Sequence, residues 1–537
     1  MHNFVKRLAP AMVAILVCWT YIGVLYEVVV TQLHGFFVYP LDDTYIHLAL
    51  ARNLALNHVW GLRSLEFASA SSSPGWTLLL AATDLLFGTH LVTPILLNLL
   101  FAAGVVLVAD YGLRLFLPGV SAGFRTIGLL TIVLFTPLPS LVLLGMEHVA
   151  QTFTIFLLVI LGSDILATAP EIRVSRGKQI AFVLAAFLAG CIRYEAVFAI
   201  LPLCGMLLWR RRFGLAIVVG VCAAIMPVGF GLYSHHISGY WLPFSVLAKA
   251  AFPHPNGLDR VRRLPLKLFL ALLLSLWLLN FYSVGFWHRV QLLTSLTFAI
   301  SLLHFLFAPV GWFMRYESYL IALFLLVVEV SLYRMHQPQP WGLWFRSSTW
   351  AYRGLTLILL VASPILVRRL FDRGWSEGTI AVQRASIDRY TEHIQMARFM
   401  AQFYPDDTIV ANDIGAIAYY TNARILDVAG LGSAEPIRAL KSGHSMSANE
   451  VAAWASMQHA SIAMMQGSGI FASKIPASWI HVSSWIIPRN VAYPDRTIDF
   501  YAIDAKDVLR LCHALKVFPL TPQDEEMPVK NACPPSP

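Results

Sequence analysis

The chain has 537 residues, 57% of them hydrophobic and only 13% charged, which is too apolar for a soluble globular protein of this length. A formal net charge of +9 does not call for nucleic acid, because Lys and Arg of membrane proteins collect in cytoplasmic loops, and no compact basic domain with interleaved stacking aromatics is present. The composition is that of a polytopic membrane protein.

Lys6-Arg7 precede an apolar run from Leu8 to Val30, longer than a signal h-region and followed by no small-residue cleavage site, so a retained first transmembrane helix is expected. Runs long enough for bilayer-crossing helices follow near 94–116, 126–143, 148–168, 179–193 with 194–209, 213–233, 265–283, 290–309, 316–333 and 353–370. Gly75–Gly88 is short and reads as a re-entrant or interface-lying helix. Cys18, Cys191, Cys204 and Cys222 fall in apolar segments as small buried hydrophobes, whereas Cys512 and Cys533 lie in the polar C-terminal part and are able to pair if it faces an oxidising compartment.

Residues 179–209 form an apolar stretch with Arg193-Tyr194-Glu195 at its middle. Two short helices meeting at that triplet place the charges at a surface, where one long helix would bury them at mid-membrane. With that split there are eleven spans. Placing Lys6-Arg7 inside then makes the inner loops Arg114–Arg125, Arg173–Lys178, Arg210–Arg212, His288-Arg289 and Arg334–Arg353, each basic. Asp42-Asp43, Glu147, Arg193, Glu195, the 234–264 loop, Arg315, Glu317 and everything after Phe371 fall outside. The basic stretch Arg260-Val261-Arg262-Arg263 also falls there, at headgroup level.

After residue 371 the hydropathy falls. An amphipathic helix is expected at 379–403, strands at Thr408–Ala411, Arg424–Val428, Ile480–Ile486 and Ile498–Ile503, and a helix near Ala448–His459, together a small soluble α/β domain. The Pro535–Pro537 end reads as a frayed tail. The expected organisation is thus a polytopic α-helical membrane domain at 1–370, with a first outer loop at 32–93, and an α/β domain at 371–537.

In the first outer loop, Asp42-Asp43 open a helix that carries His47 one turn after Asp43, and later Arg52. N-terminal capping needs only one Asp; the second carboxylate and the histidine on the same face suggest a site. Moving a sugar from a lipid phosphate to a hydroxyl needs a base for the proton and cations for the leaving phosphate, and adjacent carboxylates can raise one another's pKa. Glu147 reads either as an interfacial residue reaching water or as a further carboxylate of the site. Arg193 and Glu195 at the helix break read as a mutual ion pair or as site residues. Lys249 and Arg315 are outer-face cations beside apolar spans, each alone a snorkelling contact and together able to hold a polyprenyl phosphate. The outer histidines show no metal-ligand spacing, no Gly-rich phosphate loop appears, and Ser69–Ser73 reads as a flexible polar linker. Two neighbouring carboxylates can hold Mg²⁺ or Mn²⁺, but spacing shows no third oxygen ligand, so a divalent metal is left open.

Asp42-Asp43-Thr44-Tyr45-Ile46 with Ala51-Arg52-Asn53-Leu54, then Ser73-Pro74-Gly75-Trp76, resembles the first outer loop of GT-C superfamily polyprenyl-phosphate-sugar-dependent glycosyltransferases, in particular the branch of the mycobacterial terminal arabinofuranosyltransferase. The likeness continues through Gly145-Met146-Glu147, Arg193-Tyr194-Glu195, Ala248-Lys249, Arg315-Tyr316, Asn412-Asp413-Ile414-Gly415 and Asp427–Leu431. This resemblance implies a GT-C fold and an inverting transferase. Its donor would be a polyprenyl-phosphate sugar and its acceptor a cell-envelope glycan or glycolipid, met at the periplasmic face of a bacterial inner membrane. The base would be Asp42 or Asp43, with Glu147 positioning sugar or acceptor. Arg193, Lys249 and Arg315 would hold the donor phosphate, with His47, Arg52, Glu195 and Tyr316 in support. The outer domain, through Asn412 and Asp413, would bind acceptor or act as a folded lid with Asp413 as a cap. The family's Arg-Pro-Glu is Arg193-Tyr194-Glu195 here, and Leu247 replaces an aromatic before Lys249, which leaves the donor sugar open.

A flippase of lipid-linked sugars would also place charges in an apolar bundle, but inverted repeats are absent and the polar residues gather on one face. A non-catalytic envelope scaffold is the remaining alternative.

Overall fold

Most of the apolar runs are helices. The computed structural model describes residues 2–251, 259, 263–335, 365–366, 368–370, 372–467, 469–487, 497–520, 525–528 and 533. In chain order its first helices are α1 (His2–Gln32), α2 (Asp42–Asn57), α3 (Pro74–Phe87), α4 (Thr93–Phe116), α5 (Ala122–Phe135), α6 (Leu138–Leu143) and α7 (His148–Ala167). There follow α8 (Arg176–Ile192), α9 (Val197–Trp209), α10 (Phe213–Ser238), α11 (Phe244–Ala251), α12 (Leu264–Val284), α13 (Arg289–Phe307) and α14 (Ser318–Met335). Among the described residues, 5 helices are long and apolar enough to cross a membrane (α1, α4, α7, α10 and α13), and shorter apolar helices lie at Pro74–Phe87, Ala122–Phe135, Tyr194–Trp209 and Pro265–Phe281. The span expected at 353–370, the inner loop before it, the Arg260–Arg262 stretch and the Pro535–Pro537 tail lie wholly or largely outside the described residues.

The expected break inside 179–209 is present: α8 stops at Ile192, Arg193 is extended, and a 3-10 turn at Tyr194–Ala196 leads into α9. The single span expected at 126–143 is instead two helices, α5 and α6. Pro137 and Pro139 supply no amide to continue the ladder, so the helix ends before them and restarts.

The chain divides into two compact units. The first comprises Met1–Leu25, Pro94–Val228 and His254–Ile380. Its centre is α7, apolar and buried around almost its whole circumference, as a helix without a polar face must be. Two carboxylates buried in this unit are each neutralised by two cations. Asp110 meets Arg114 at 3.0 Å and Arg125 at 2.5 Å, and Asp164 meets Lys178 and, at 2.6 Å, Arg289. All four cations come from the loops and helix ends read above as the basic side, consistent with the cost of an unpaired buried charge.

The second unit comprises Tyr26–Thr93, Gly229–Pro253 and Ala381–Pro537. Its helices after α11 are α15 (Ala381–Arg389), α16 (Gln395–Phe403), α17 (Gly415–Tyr420), α18 (Ala434–Lys441), α19 (Ala448–Met457), α20 (Gly469–Ala472) and α21 (Val508–Val517). Its strands are β1 (Thr408–Ala411), β2 (Arg424–Asp427), β3 (Ile462–Gln466), β4 (Ile480–Ile486), β5 (Thr497–Ala502) and β6 (Glu525–Pro528). The sheet order is β2-β1-β3-β5-β4-β6; β1 runs parallel to β2 and β3, and the remaining pairs are antiparallel. Val410, Leu426, Ala463 and Met465 pack on Val451, Trp454 and Ala455 of α19. Cys512 and Cys533 form a disulfide with Cα atoms 5.6 Å apart. The helix expected at 379–403 is present, but a wide π turn at Tyr390–Ile394 interrupts it between α15 and α16. β3 and α17 lie outside the elements expected from the sequence; both are short, and their buried residues are apolar except for Gln466 at the end of β3.

The Ser69–Ser73 segment is not a flexible linker. Ser69, Ser71 and Ser73 are fully buried. Ser71 Oγ bonds Thr77 at 2.9 Å and His47 Nδ1 at 3.3 Å, and Phe244 N donates to the Ser69 carbonyl at 2.8 Å. Small hydroxyl side chains satisfy buried backbone and ring nitrogens where larger ones would not fit.

Candidate active site

In the second unit, Asp42 and Asp43 occupy the first turn of α2, yet no side chain caps this helix. Asp42 caps a different one. Its carboxylate accepts from three successive backbone amides at the start of α17: Ile414 at 3.2 Å, Gly415 at 2.6 Å and Ala416 at 2.9 Å. Gly415 is required there, since a Cβ would lie 2.2 Å from the Asp42 carbonyl oxygen. At the other end of α17, Arg52 donates to the carbonyls of Tyr419 and Ala418, the latter at 3.1 Å. An anion at the amide end and a cation at the carbonyl end both complement the helix dipole.

Asp43 faces elsewhere. Its Oδ2 lies 3.3 Å from Lys249 Nζ of α11, with the side chains 21% and 36% exposed, so solvent reaches part of the pair. Helix α11 is fixed by its apolar side: Phe244 and Ala248 pack with Tyr240 and Ile437, and Leu247 and Leu431 flank them. Asp427 in turn organises the turn after β2, accepting from Ala429 at 2.8 Å and Gly432 at 2.7 Å. The Asp427–Leu431 motif therefore supports the shelf that carries Lys249. His47 is buried and bonds Thr77 at 3.0 Å, so it ties α2 to α3.

Behind Asp42 lies a buried ionic cluster. His393 Nε2 is 3.2 Å from Asp413 Oδ1, and its Nδ1 is 3.5 Å from Glu392, which Arg389 meets at 3.3 Å. Asn412 donates to Asp413 at 2.6 Å and accepts from Gln466 N at 2.9 Å, joining β1 to β3. The π turn sets Glu392 and His393 inward; such turns recur at functional sites. Burial and Arg389 oppose the charge on His393, but Glu392, Asp413 and Asp42 outweigh them and raise its pKa. Burial also pushes the Asp42 carboxyl up, against the pull of His393. Asp413 goes down, because His393 and Arg389 overcome its burial. Ligand atoms of Asp42, His393 and Asp413 lie within 4.8 Å of one another. Both Asp42 oxygens already accept backbone amides, and the Arg389 guanidinium brings a positive charge to the cluster.

The first unit holds the other residues singled out from sequence. Glu147, fully buried, precedes α7 and receives Arg193 Nη1 at 2.5 Å. Glu195 grips the same guanidinium from its two other nitrogens, at 3.0 Å and 2.6 Å. Arg193 is thus held between two carboxylates, and the extended backbone at the helix break is what turns it toward both. Tyr316 lies under two guanidiniums, 5.7 Å from Arg193 and 4.8 Å from Arg315, and its hydroxyl accepts from Arg315 at 2.8 Å. Trp312, Phe313 and Met314, just before Arg315, hold φ values of 54°, 66° and 56°. Three consecutive non-glycine residues in the left-handed region cost about 1 kcal/mol or more each, strain that recurs at functional sites.

Arg389, Glu392, His393 and Gln466 escaped the sequence reading. Arg389, Glu392 and His393 stand three and four residues apart, a spacing that on an amphipathic helix reads as a solvated face.

Residues 381–502 match a family described as a domain of unknown function (DUF8728). No curated protein matches the sequence. Among solved structures, ArnT from Cupriavidus metallidurans in the apo state is similar at a TM-score of 0.53 and 15% identity, over 91% of this chain and 98% of that one. ArnT bound to undecaprenyl phosphate gives a TM-score of 0.57 and 13% identity, over 93% and 99% of the two chains. The mycobacterial arabinofuranosyltransferase AftD gives 0.43 and 14%, over 90% of this chain and 41% of that one. The fold is thus similar to that of ArnT over nearly the full length of both chains.

Proposed function

We propose that this chain is a membrane glycosyltransferase that moves a sugar from a polyprenyl-phosphate donor to an envelope glycan or glycolipid, with Asp43 as the base. One observation carries the assignment. Of two adjacent aspartates, Asp42 is held by three backbone amides, whereas Asp43 is partly exposed beside a cation. A base needs a reachable lone pair; a cap does not.

In the reaction, the acceptor hydroxyl oxygen bonds to the anomeric carbon as the bond from that carbon to the donor phosphate oxygen breaks. The hydroxyl proton passes to Asp43 and polyprenyl phosphate leaves. Attack opposite the leaving group inverts the anomeric centre. Lys249, beside Asp43, neutralises the departing phosphate. Arg193 holds Glu147 and Glu195 in place, and Asn412 and Asp413 hold the α17 end of the acceptor side. ArnT, a protein of this fold, has been crystallised with undecaprenyl phosphate, which supports a lipid-linked donor. The distribution of basic loops supports an outward, periplasmic placement of the 371–537 domain in an inner membrane.

The test is transfer by the purified full chain from lipid-linked sugars, in Asp42→Asn and Asp43→Asn. A flippase would move the lipid-linked sugar across vesicles and leave its glycosidic bond intact, in both variants alike.

A further inference from the structure

We propose that a polar cleft at the C-terminal end of α2 is a distal saccharide subsite, binding a neutral sugar of a polymeric acceptor several units from the reacting one. It rests on the glycosyl-transfer reading above and narrows its acceptor from glycan or glycolipid to a glycan chain.

The cleft encloses about 360 Å³ within the second unit, a volume in the range of small-molecule sites. Its walls come from the end of α2, the turn before β1 and the segment after α17. The only carbon side chains in its lining are those of Ala401 and Pro405; the rest are polar or aromatic. Two small carbon side chains offer little surface to a lipid tail.

Charge excludes an anionic occupant. Arg52 and Asp406 are the only lining groups charged at neutral pH, and their formal charges cancel. Arg52 is moreover engaged with the carbonyls of α17. The remaining groups suit a polyol. Asn57, Asp406 and Asn422 are exposed. Among the described residues no hydrogen bond or ion pair engages the Asp406 carboxylate, and Asn422 accepts only a long bond of 3.4 Å from Ser64. Tyr420, 44% exposed, adds an aromatic face. Amide and carboxylate forks for vicinal hydroxyls, beside a ring for the C–H face of a sugar, form a neutral saccharide site.

Position separates it from the reacting centre. Asn53 and Asn57 lie ten and fourteen residues past Asp43 on one helix, roughly 15–21 Å along its axis. A sugar there belongs to the acceptor chain away from the nucleophilic hydroxyl.

The experiment measures transfer by the full chain to neutral oligosaccharides of increasing length, released from the parental envelope, in wild type and in Asn57→Ala, Asn422→Ala and Tyr420→Ala. KM for the long acceptors is expected to rise about tenfold or more, with kcat and the KM of the shortest acceptor unchanged. Asn57 and Asn422 are surface side chains, so their variants separate binding from folding. The same oligosaccharides are also tested by saturation-transfer NMR on the Asp43→Asn protein, where Tyr420→Ala and Asn57→Ala are expected to abolish the signal. Undiminished binding in both, or an equal KM change for short and long acceptors, overturns the subsite. Binding that persists without transfer in wild type would strike the proposed reaction and leave the subsite standing.

Discussion

Asp42 and Arg52, on the same helix, hold opposite ends of one short helix in a distant part of the sequence: Asp42 takes the amides of α17 and Arg52 takes its carbonyls. The first outer loop and the α/β domain are therefore parts of one unit. Within the motif Asn412-Asp413-Ile414-Gly415, the last two amides meet Asp42, while Asn412 and Asp413 bond Gln466 and His393.

Removing the cap is expected to loosen that unit. Asp42→Ala should lower stability by about 1–2 kcal/mol, the cost of losing a helix cap, and Asp42→Asn by less. Thermal unfolding in detergent, followed by protease resistance of the 381–502 segment, checks it. An unchanged midpoint for Asp42→Ala would mean the three amide bonds contribute nothing.

Gly415→Ala puts a methyl where the Asp42 carbonyl oxygen already sits, 2.2 Å away. Backbone on one side and a capped helix on the other leave little room to relax, so a loss of about 1–3 kcal/mol is expected. The same measurement on Gly443→Ala would respond only to backbone conformation, because nothing lies within 4 Å of its Cβ.

Much of this architecture was legible in the sequence, and the exceptions have physical causes. Hydropathy located the long spans because burial of roughly 20 residues leaves a strong signal. The break at Arg193 was legible because a charged triplet interrupted an apolar run. The split at Pro137 was not, since the run stayed apolar through both prolines. The aspartate pair was visible as a candidate, but which member stays partly exposed depends on α17, whose sequence Gly415–Tyr420 carries no helix signal of its own. His393 was hidden because buried and solvated charges look alike in a periodic pattern.

Arg193 is expected to behave as a structural residue. Two carboxylates grip it, so Arg193→Met should cost about 3–5 kcal/mol by leaving Glu147 and Glu195 buried without their partner. In whatever folded protein remains, the KM for donor should stay near wild type. Lys249→Ala should instead raise it. A donor KM raised by a mild Arg193→Lys change at full stability would return Arg193 to phosphate binding.

Stability should also depend on pH through His393. Its folded pKa is raised, so its contribution is fully present below the unfolded value of about 6.5 and is lost as the pH climbs through the folded value. Asp413, lowered, acts oppositely: its contribution is present above about 3.9 and is lost as the pH falls through its folded value. Unfolding midpoints against pH should therefore fall on both limbs. His393→Gln should flatten the alkaline limb and also weaken the acid one, because His393 is the main influence holding Asp413 down; an alkaline limb unchanged in that variant would assign it to another group.

The most direct measurement is sugar transfer from a lipid-linked donor by purified Asp43→Asn and Asp42→Asn, each at matched folded concentration. Asp43→Asn should abolish turnover with folding intact, while Asp42→Asn should lose stability first and keep measurable turnover. Full turnover in Asp43→Asn, or abolition only in a well-folded Asp42→Asn, would contradict the assignment of the base.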